Sequence, residues 1–417
     1  MTILVQKYGG SSVGTLERMK HVASKIIQSK KQGHDVIVVV SAMQGETDRL
    51  INLASALTKE PNPREYDILV STGEQASMAL LAIALNAQGC QTKSYTGAQI
   101  GILTDTLHTK ARILDIKTNI LYRELEKGYV IIVAGFQGKN EYNDITTLGR
   151  GGSDTTAVAI ASALKADECQ IYTDVDGVYT TDPRMIPEAS LITHISFEEM
   201  QEMASLGAKI LQMRSVELAS RHKIPIRVLS TFNNSNPGTL VTHEEQIMQK
   251  RLISGVVFSR EESIIAIHGI PNKAGIEGCI LEQISNNDIE VDMISQNTTD
   301  ENITDLTFTL NQKDHDKTIK IIQGLKDRLG EFSIKTSTKV AKLSIVGTGV
   351  GSHTSVASTM FKTLGMLNIN IQMITTSEIK ISVIINETEL EEGMRAIHEV
   401  FELGKLSESK ERFFLAT

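Results

Sequence analysis

The stretch that decides the fold lies near the start of the chain and reads Lys7-Tyr8-Gly9-Gly10-Ser11-Ser12. The apolar run Ile3-Leu4-Val5 before it predicts a buried strand. Apolar residues spaced three or four apart from 13 to 26 predict a helix behind it, capped by Ser11 or Ser12. A strand, two glycines and a helix N-terminus form a concavity of backbone N–H groups that suits an anion, and Lys7 would add a positive charge. An ordinary turn has the same pattern, so this stretch alone leaves both interpretations open.

Strand-like and helix-like patterns alternate over the first 240 residues. The strand-like runs are 36–40, 130–134, 170–172 and 226–228, and the helical patterns occupy about 13–30, 74–87, 111–127, 154–165 and 197–221. Run 36–40 is apolar throughout, as expected of a strand covered on both faces. The alternation predicts an α/β fold with a mostly parallel central sheet and helices on both sides. Its ligands are expected outside the carboxyl ends of the strands.

The remainder of the chain contains a repeat. Residues 233–238 are rich in Asn, Ser, Pro and Gly, and we place a domain boundary there. Beyond it, Ile289-Glu290-Val291-Asp292-Met293-Ile294-Ser295 matches Ile369-Asn370-Ile371-Gln372-Met373-Ile374-Thr375, 80 residues later. Each copy follows a glycine-terminated strand (Gly269, Gly347) and a helix, and precedes another strand. Two small α+β modules are predicted, and the glycine-rich loops that open both helices favour a ligand site.

Composition excludes several classes of protein. A length of 417 residues predicts two to three domains. A net charge of −8 and an aromatic content of 4% without Trp argue against a nucleic-acid partner. The three cysteines, Cys90, Cys169 and Cys279, fit neither a disulfide framework nor a zinc site. No leader and no apolar run of eighteen residues is seen, so we expect a cytoplasmic location and no membrane partner.

Three further polar stretches are candidates for chemistry. The first, Ser41-Ala42-Met43-Gln44-Gly45-Glu46-Thr47, follows a predicted strand. The second is Ser71-Thr72-Gly73-Glu74, predicted as a loop that places Glu74 in the first turn of the next helix. A helix-capping role explains it equally well. The third is Gly149-Arg150-Gly151-Gly152-Ser153-Asp154, where glycines allow close approach and the guanidinium suits a carboxylate or phosphate.

Downstream, the run from Thr173 to Arg184 contains Asp-Val-Asp-Gly, which lacks the length and closing glutamate of a calcium loop and fits better as the edge of a nucleotide site. Lys209 offers another cation. The sequence contains no P-loop, zinc-peptidase or serine-hydrolase motif. A phosphate cradle, an arginine for a carboxylate and an acid for an amine together indicate phosphoryl transfer to an amino acid.

Taken in order along the chain, these motifs resemble those of the aspartate kinases (aspartokinases) of the amino acid kinase family, and the repeat resembles a tandem pair of ACT domains. The resemblance implies a three-layer α/β sandwich followed by two ferredoxin-like α+β domains. The implied limits are 1–240 for the kinase domain, 241–262 for a linker and first regulatory strand, and 263–338 and 339–417 for the ACT domains.

The resemblance also implies the reaction and its residues. ATP with Mg²⁺ would phosphorylate the β-carboxylate of L-aspartate, the first step towards lysine, threonine and methionine. The implied catalytic residues are Lys7 and Asp154, and no residue is implied as a metal ligand. The substrate would be bound by Thr47, Glu74, Arg150, Gly151, Gly152 and Ser153. The nucleotide would be bound by Lys7, Tyr8, Gly9, Gly10, Ser41, Thr173, Asp174, Tyr179, Asp182, Arg184, Lys209 and Ile210.

Feedback inhibition by lysine, threonine or both is implied for the ACT pair. The effector residues would be Asn272, Lys273, Ala274, Gly275, Ile276, Glu277, Asp292, Gln296, Val356, Ala357, Asn370, Ile371, Ser377 and Glu378. Asn272 and Glu290 depart from the family pattern in the first copy, which puts concerted inhibition in question. A homo-oligomer, or an oligomer with a shorter ACT-only subunit started at Met248, is implied.

Two alternatives remain at this stage. Another amino acid kinase, acting on acetylglutamate, glutamate or a nucleoside monophosphate, would share the cradle. A non-catalytic amino-acid sensor would use the first domain as a scaffold.

Overall fold

The computed structural model describes residues 2–207, 210–247, 251–300 and 303–404. The chain divides into two compact units. The first contains Met1–Tyr179 and Leu191–Lys250, and the second contains Thr180–Ser190 and Arg251–Thr417. The segment Thr180–Ser190, which the sequence placed in the kinase domain, therefore groups with the regulatory part of the chain. Lys209 and Met248 lie outside the described residues.

The first unit is an α/β structure. Its helices are α1 (Leu16–Lys31), α2 (Glu46–Leu57), α3 (Pro63–Ala87), α4 (Asn119–Glu126), α5 (Gly152–Leu164), α6 (Phe197–Ser205) and α7 (Met213–His222). Its strands are β1 (Ile3–Tyr8), β2 (Asp35–Val40), β3 (Thr92–Tyr95), β4 (Ile102–Thr104), β5 (Ile113–Ile116), β6 (Val130–Ala134), β7 (Gln137–Lys139), β8 (Ile145–Thr147), β9 (Glu168–Thr173), β10 (His194–Ser196), β11 (Ile226–Ser230) and β12 (Thr239–Thr242).

Eight of these strands form the central sheet, in the order β10-β12-β11-β9-β1-β2-β6-β3. All neighbours are parallel except β11 and β12. The predicted mostly parallel sheet is confirmed, and the apolar residues 36–40 of β2 and all of β6 are buried. A second sheet of short strands, β5-β4-β7-β8, was missed, because three or four residues are too few to show a period.

Several predicted boundaries are wrong. Ser71 to Glu74 lie inside α3, not in a loop, because Asn62 caps this helix and Pro63 occupies its first turn. The cap of α1 is Thr15, while the Ser12 hydroxyl lies 2.6 Å from that of Thr231. Predicted helix 111–127 begins only at Asn119, after β5, and predicted helix 197–221 is two helices.

Helix α3 is long and apolar enough to cross a membrane by length and composition. Half of its most apolar stretch is buried inside the first unit, however, and two of its three acidic residues, Asp67 and Glu74, are buried there too. These properties are those of a core helix.

The second unit contains the predicted repeat. Its strands are β13 (Gly255–Pro271), β14 (Val291–Asp300), β15 (Ile303–Asn311), β16 (Ser333–Val346), β17 (Met373–Thr376) and β18 (Lys380–Asn386). Its helices are α8 (Ile276–Ser285), α9 (His315–Gln323), α10 (Lys326–Leu329), α11 (Thr354–Met366) and α12 (Leu390–Val400). The strands form one antiparallel sheet in the order β14-β15-β13-β16-β18-β17.

The two copies in this unit, β13-α8-β14-β15 and β16-α11-β17-β18, confirm the βαββ prediction. Each copy has its own apolar core, one with α8 and α9 and the other with α11 and α12. The long strands β13 and β16 pair with each other at the centre. The limits drawn from the sequence at 262–263 and 338–339 fall inside these two strands.

Candidate active site

A cleft of about 360 Å³ lies in the first unit, beside the carboxyl ends of β1 and β2. The loops after these strands, the middle of α3 and the beginning of α5 form its walls. Its lining residues are Lys7, Gly10, Ser41, Ala42, Met43, Gln44, Gly45, Thr47, Asp48, Glu74, Phe136, Gly149, Arg150, Gly151, Gly152, Ser153, Asp154 and Gln212. The position is the one expected for a ligand of a parallel α/β sheet.

An ion pair between Lys7 and Asp154 occupies the cleft. Lys7 Nζ lies 2.6 Å from Asp154 Oδ1, and the two side chains are only 12% and 10% exposed. Lys7 is near the end of β1, and Asp154 is in the first turn of α5. Partial burial strengthens the attraction between the two charges, so the ammonium group is held at a fixed place beside the glycines.

Glycines bring the backbone close to this ion pair. A Cβ on Gly10 would lie 2.9 Å from the Ala42 carbonyl oxygen, and a Cβ on Gly151 would lie 2.1 Å from Gln212 Cγ. Gly151 also has φ of 71° and is the N-cap of α5, so this helix begins at the cleft with its amide groups directed towards it. The Gly9 N–H donates to the Tyr172 carbonyl at 3.3 Å, so this amide already has a partner within the protein, and its nucleotide contact stays a prediction.

Glu74 brings a buried carboxyl group to the cleft. Its side chain lies on α3, and its Oε1 accepts a hydrogen bond from the Ala42 N–H at 3.2 Å. Its Oε2 is buried and has no hydrogen-bond partner among the residues that the structure describes. Burial raises the pKa of Glu74 to about 7, against the opposing effect of the backbone hydrogen bonds. A buried acceptor of this kind is suited to an ammonium group of a ligand.

Arg150 brings a positive charge to the cleft that contains the Glu74 carboxyl group. It is exposed at the tip of the loop between β8 and α5 and lines the same cleft. A guanidinium binds a carboxylate through two parallel hydrogen bonds. The cleft therefore combines a cation for a carboxylate, an acid for an amine and an ion pair beside a helix N-terminus.

The structure brings most of the predicted catalytic and substrate residues together. Among the predicted residues, the cleft contains Lys7, Gly10, Ser41, Thr47, Glu74, Arg150, Gly151, Gly152, Ser153 and Asp154. The Tyr8 side chain is instead buried in the core, with its ring stacked on Tyr172 at 4.6 Å. The predicted ATP contact of Tyr8 stays a prediction, and with this side chain in the core it would have to be made by the backbone.

The remaining nucleotide-side predictions are divided between the units. Thr173 ends β9 and Asp174 follows it. Because β9 is the parallel neighbour of β1, both lie at the same edge of the sheet as the Lys7 turn. Tyr179 and Ile210 also belong to the first unit, whereas Asp182 and Arg184 belong to the second. Arg184 Nη2 lies 2.7 Å from Asp182 Oδ2, and this guanidinium lowers the pKa of Asp182.

Sequence reasoning missed Phe136, Gln212 and Asp48 as cleft residues. Gln212 is the N-cap residue of α7, and no motif distinguishes it. Ala42 and Gln44 lie in the polar stretch 41–47 that the sequence marked as a candidate. Only the structure shows that the two residues pack closely against Gly10 and Gly14.

The first-copy effector residues lie around the start of α8. Gly275, with φ of 93°, is the N-cap of this helix, and 272–275 form the exposed loop before it. Gln296 Nε2 donates to Glu277 Oε1 at 2.8 Å, which joins two of the predicted residues.

Asp292, another predicted effector residue of the first copy, forms an ion pair with a lysine of the sheet. It pairs at 2.5 Å with Lys342, which also lies 2.9 Å from Glu262. Burial opposes the charge on Lys342, but attraction to these two carboxylates outweighs it and raises the lysine pKa. Asp292 is therefore already engaged with a cation of the sheet.

The second-copy effector residues gather where α11 begins. Val356 is buried in the first turn of this helix, with Ala357 and Ile371 packed against the same core. Ser377 and Glu378 form the turn between β17 and β18, and the Glu378 carbonyl accepts the Gly351 N–H at 2.9 Å. Asn370 is exposed and lies three residues before the start of β17.

Among the residues that the structure describes, no group of three or more His, Cys, Asp or Glu side chains is arranged to hold a metal ion. The cleft nevertheless contains the carboxylate of Asp154 and the hydroxyls of Ser41 and Ser153. These are oxygen donors of the kind that Mg²⁺ accepts, and they suit a metal ion that arrives with a nucleotide.

Comparison with known proteins identifies the family. Residues 2–230 match the amino acid kinase family and residues 343–401 match an ACT domain. An aspartate kinase of Stutzerimonas stutzeri is 54% identical over 404 residues, which cover 97% of this chain and 98% of the relative.

Two crystal structures of aspartokinase III from E. coli have the same fold. One, a complex with aspartate and ADP described as the R-state, superimposes with a TM-score of 0.78 at 25% identity and covers 95% of this chain and 99% of the other. The second, a complex with lysine and aspartate described as the T-state, gives a TM-score of 0.76 at 25% identity and covers 96% and 99%. The chain belongs to the amino acid kinase family, among the aspartate kinases with C-terminal ACT domains, and is a phosphotransferase.

Proposed function

We propose that this enzyme transfers the γ-phosphoryl group of ATP to the β-carboxylate of L-aspartate and forms 4-phospho-L-aspartate. The observation that carries the proposal is the Lys7–Asp154 pair in one cleft with Glu74 and Arg150. Phosphoryl transfer needs positioning and neutralisation of charge rather than a covalent intermediate. The E. coli structure that contains aspartate and ADP supports this choice of substrates.

Each end of the amino acid has a partner in the cleft. The Arg150 guanidinium binds the α-carboxylate, and the unpartnered Glu74 Oε2 receives the α-ammonium group. The β-carboxylate is then directed towards Lys7, whose ammonium group stabilises the charge on the transferring phosphoryl. Asp154 holds Lys7 in place through the 2.6 Å ion pair.

The nucleotide side is formed by the Lys7 turn together with Thr173 and Asp174 at the neighbouring strand end. Mg²⁺ bound to the triphosphate supplies further neutralisation, and Asp154, Ser41 and Ser153 are the residues that would face it. Lys209 and Ile210 are assigned to the nucleotide side by resemblance alone.

Three unpaired cysteines suit the reducing environment of the cytoplasm, where we propose that the enzyme acts.

Two alternatives are less well supported. Another amino acid kinase would require an acceptor other than aspartate, and a panel of aspartate, glutamate, acetylglutamate and nucleoside monophosphates separates them. A non-catalytic sensor would have no need of the intact Lys7–Asp154 pair.

We propose that lysine, threonine or both inhibit the enzyme through the second unit. Thr180–Ser190 belongs to that unit, although it continues directly from the nucleotide-side residue Tyr179. The Thr180 Oγ1 lies 3.0 Å from His398 Nε2 on α12 and accepts the Ser190 N–H at 3.0 Å. Burial lowers the pKa of His398, which favours the neutral imidazole.

The same helix connects this segment to the effector residues. Met394 and Ile397 of α12 pack in one core with Val356 of α11 and Ile186 of the segment. Arg395 adds a hydrogen bond to the Met185 carbonyl at 3.4 Å. An effector that favours a different position of α11 would therefore act on the segment that carries Asp182 and Arg184. Inhibition requires that the effector bind this arrangement more tightly than the active one.

Removal of Lys7 tests the catalytic assignment. We expect Lys7→Ala to lower kcat by about 10²–10³, because a preorganised charge at the transition state is lost. Lys30→Ala is the matched control, since Lys30 pairs with Asp35 at 3.1 Å at the opposite end of β2. Phosphorylation of aspartate by purified protein gives the readout, and full activity of Lys7→Ala would show that the assignment is wrong.

The pH dependence of aspartate binding tests Glu74. Because the pKa is about 7, the carboxylate that binds an ammonium group is lost as the pH falls. We expect the KM for aspartate to be about tenfold higher at pH 6 than at pH 8, and the KM for ATP to stay nearly constant. In Glu74→Gln the KM for aspartate is high and independent of pH over this range. A profile that is unchanged by Glu74→Gln would contradict the assignment.

Stability gives an independent check on Glu74. The folded protein binds this proton more tightly than the unfolded chain, whose pKa is near 4.5, so stability falls as the pH rises from 4.5 to about 7. Glu74→Gln should therefore stabilise the ligand-free protein by about 3 kcal/mol at pH 8 and by little at pH 4.5. Thermal unfolding at the two pH values measures the difference.

Inhibition is tested with lysine and threonine, alone and together. We expect at least one of them to raise the aspartate concentration needed for half-maximal rate. Thr180→Val removes the hydroxyl bonded to His398 and should weaken inhibition about fivefold or more. Thr318→Val is the matched control, because its buried hydroxyl bonds only the Asp314 carbonyl of its own helical turn. Kinetics insensitive to every aspartate-derived amino acid would refute the regulatory proposal.

We propose that the enzyme is an oligomer assembled through its ACT copies. The two edge strands of the second sheet expose Ile294 and Ile374, each 51% accessible, at equivalent positions of the repeat. Exposed apolar edges favour pairing with another chain. Sedimentation of the full chain should show a dimer or larger species, and the double variant Ile294→Lys, Ile374→Lys should contain a smaller fraction of that species.

Mass spectrometry of the purified protein tests for the shorter subunit from Met248.

A further inference from the structure

A buried carboxylate outside the cleft has more partners than helix stability requires. Asp67 on α3 is fully buried, and its Oδ2 lies 2.7 Å from His108 Nδ1. Both carboxylate oxygens accept the Thr109 N–H at 3.1 Å, and Oδ1 accepts the Thr147 hydroxyl at 2.5 Å. The partners lie 41, 42 and 80 residues away along the chain. Asp67 therefore joins its own helix to two other segments, one containing His108 and Thr109 and the other containing Thr147.

Two of these partners hold the loop that carries Arg150. Thr147 is the last residue of β8, three residues before Arg150. Thr109 has φ of 67°, an unfavourable conformation for a β-branched residue. Its carbonyl oxygen approaches Gly149 so closely that a Cβ there would lie 3.1 Å away. Asp67 therefore fixes both the start of the Arg150 loop and the backbone packed against it.

Helix α3 also carries Glu74, seven residues after Asp67. Seven residues of an α-helix correspond to roughly 10 Å along its axis. One rigid helix thus bears the acid that receives the ammonium group and the anchor of the arginine that receives the α-carboxylate. The distance between the two partners of the amino acid is set through this helix.

We propose that Asp67 is a positioning residue that holds Arg150 at the α-carboxylate of the substrate. The proposal rests on the function proposed above, and it concerns the amino acid alone and not the nucleotide. Removing the carboxylate leaves Arg150 present but misplaced, and small misplacements of a binding group cost up to about a hundredfold in rate.

The kinetic test uses Asp67→Asn, which keeps the size of the side chain but replaces one acceptor oxygen by a donor. We expect the KM for aspartate to rise about tenfold or more and the KM for ATP to change less than about twofold. If Asp67 acts through Arg150, Asp67→Asn should add little in an Arg150→Ala background. Glu124→Gln is the matched control, because Glu124 is also buried and bound by Lys93 at 2.6 Å.

Limited trypsin digestion provides a readout that does not depend on activity. Arg150 is exposed and is itself a trypsin site. We expect cleavage after Arg150 to be about tenfold faster in Asp67→Asn and in Thr147→Val, and unchanged in Thr147→Ser and in Glu124→Gln. Thr147→Val also replaces Asp67→Asn in the kinetic test if the latter does not fold.

The outcomes separate this proposal from the proposed function. An additive effect in the Arg150→Ala background, an equal rise in the KM for ATP, or unchanged cleavage at Arg150 would each overturn the role of Asp67. If the unmodified enzyme does not phosphorylate aspartate, the proposed function is wrong, and the trypsin result alone decides whether Asp67 holds the Arg150 loop.

Discussion

The ion pair between Lys7 and Asp154 is the constraint on which the first unit depends. A lysine that is only 12% exposed needs a carboxylate close by, and the 2.6 Å distance requires the end of β1 to lie against the start of α5. That approach is possible because glycines line it. Gly10 contacts the loop after β2, and Gly151 and Gly152 allow α5 to begin at the cleft. The close approach of β1 to α5 and the position of the N-terminus of α5 at the cleft therefore go together with this charged contact.

Glu74 is the acid of the cleft whose hydrogen bonding is incomplete. It is buried with one oxygen that has no partner among the described residues, and burial raises its pKa to about 7. An ammonium group would restore the missing interaction. Asp67 shows the opposite balance, since every one of its contacts is made within the protein. Two acids on one helix thus differ in their partners, since one has an oxygen left without a partner among the described residues and the other is satisfied by groups of the protein.

Much of the fold could be predicted because its signals are local. Apolar runs defined β2 and β6, and an 80-residue repeat defined the second unit. The loop prediction for Ser71 to Glu74 was wrong because Asn62 and Pro63, the true start of α3, were not recognised as a helix signal. Site residues were predicted where glycines or a charge marked them. Asp67 carried no such mark, because its partners are 41 to 80 residues away and only the folded chain brings them together.

The segment Thr180–Ser190 is a piece of chain that interrupts the first unit in sequence but belongs to the second unit. It leaves the first unit after Tyr179 and returns to it at Leu191, but its own hydrogen bonds and apolar contacts belong to the second unit. Asp182 and Arg184 of this segment are therefore in the same unit as α12, and the chain is continuous with the first unit on both sides. Under the regulation proposed above, an effector needs no new catalytic residue and acts by shifting this segment. Inhibition then requires a difference in effector binding of a few kcal/mol between two arrangements, which is within the range of ordinary allosteric coupling.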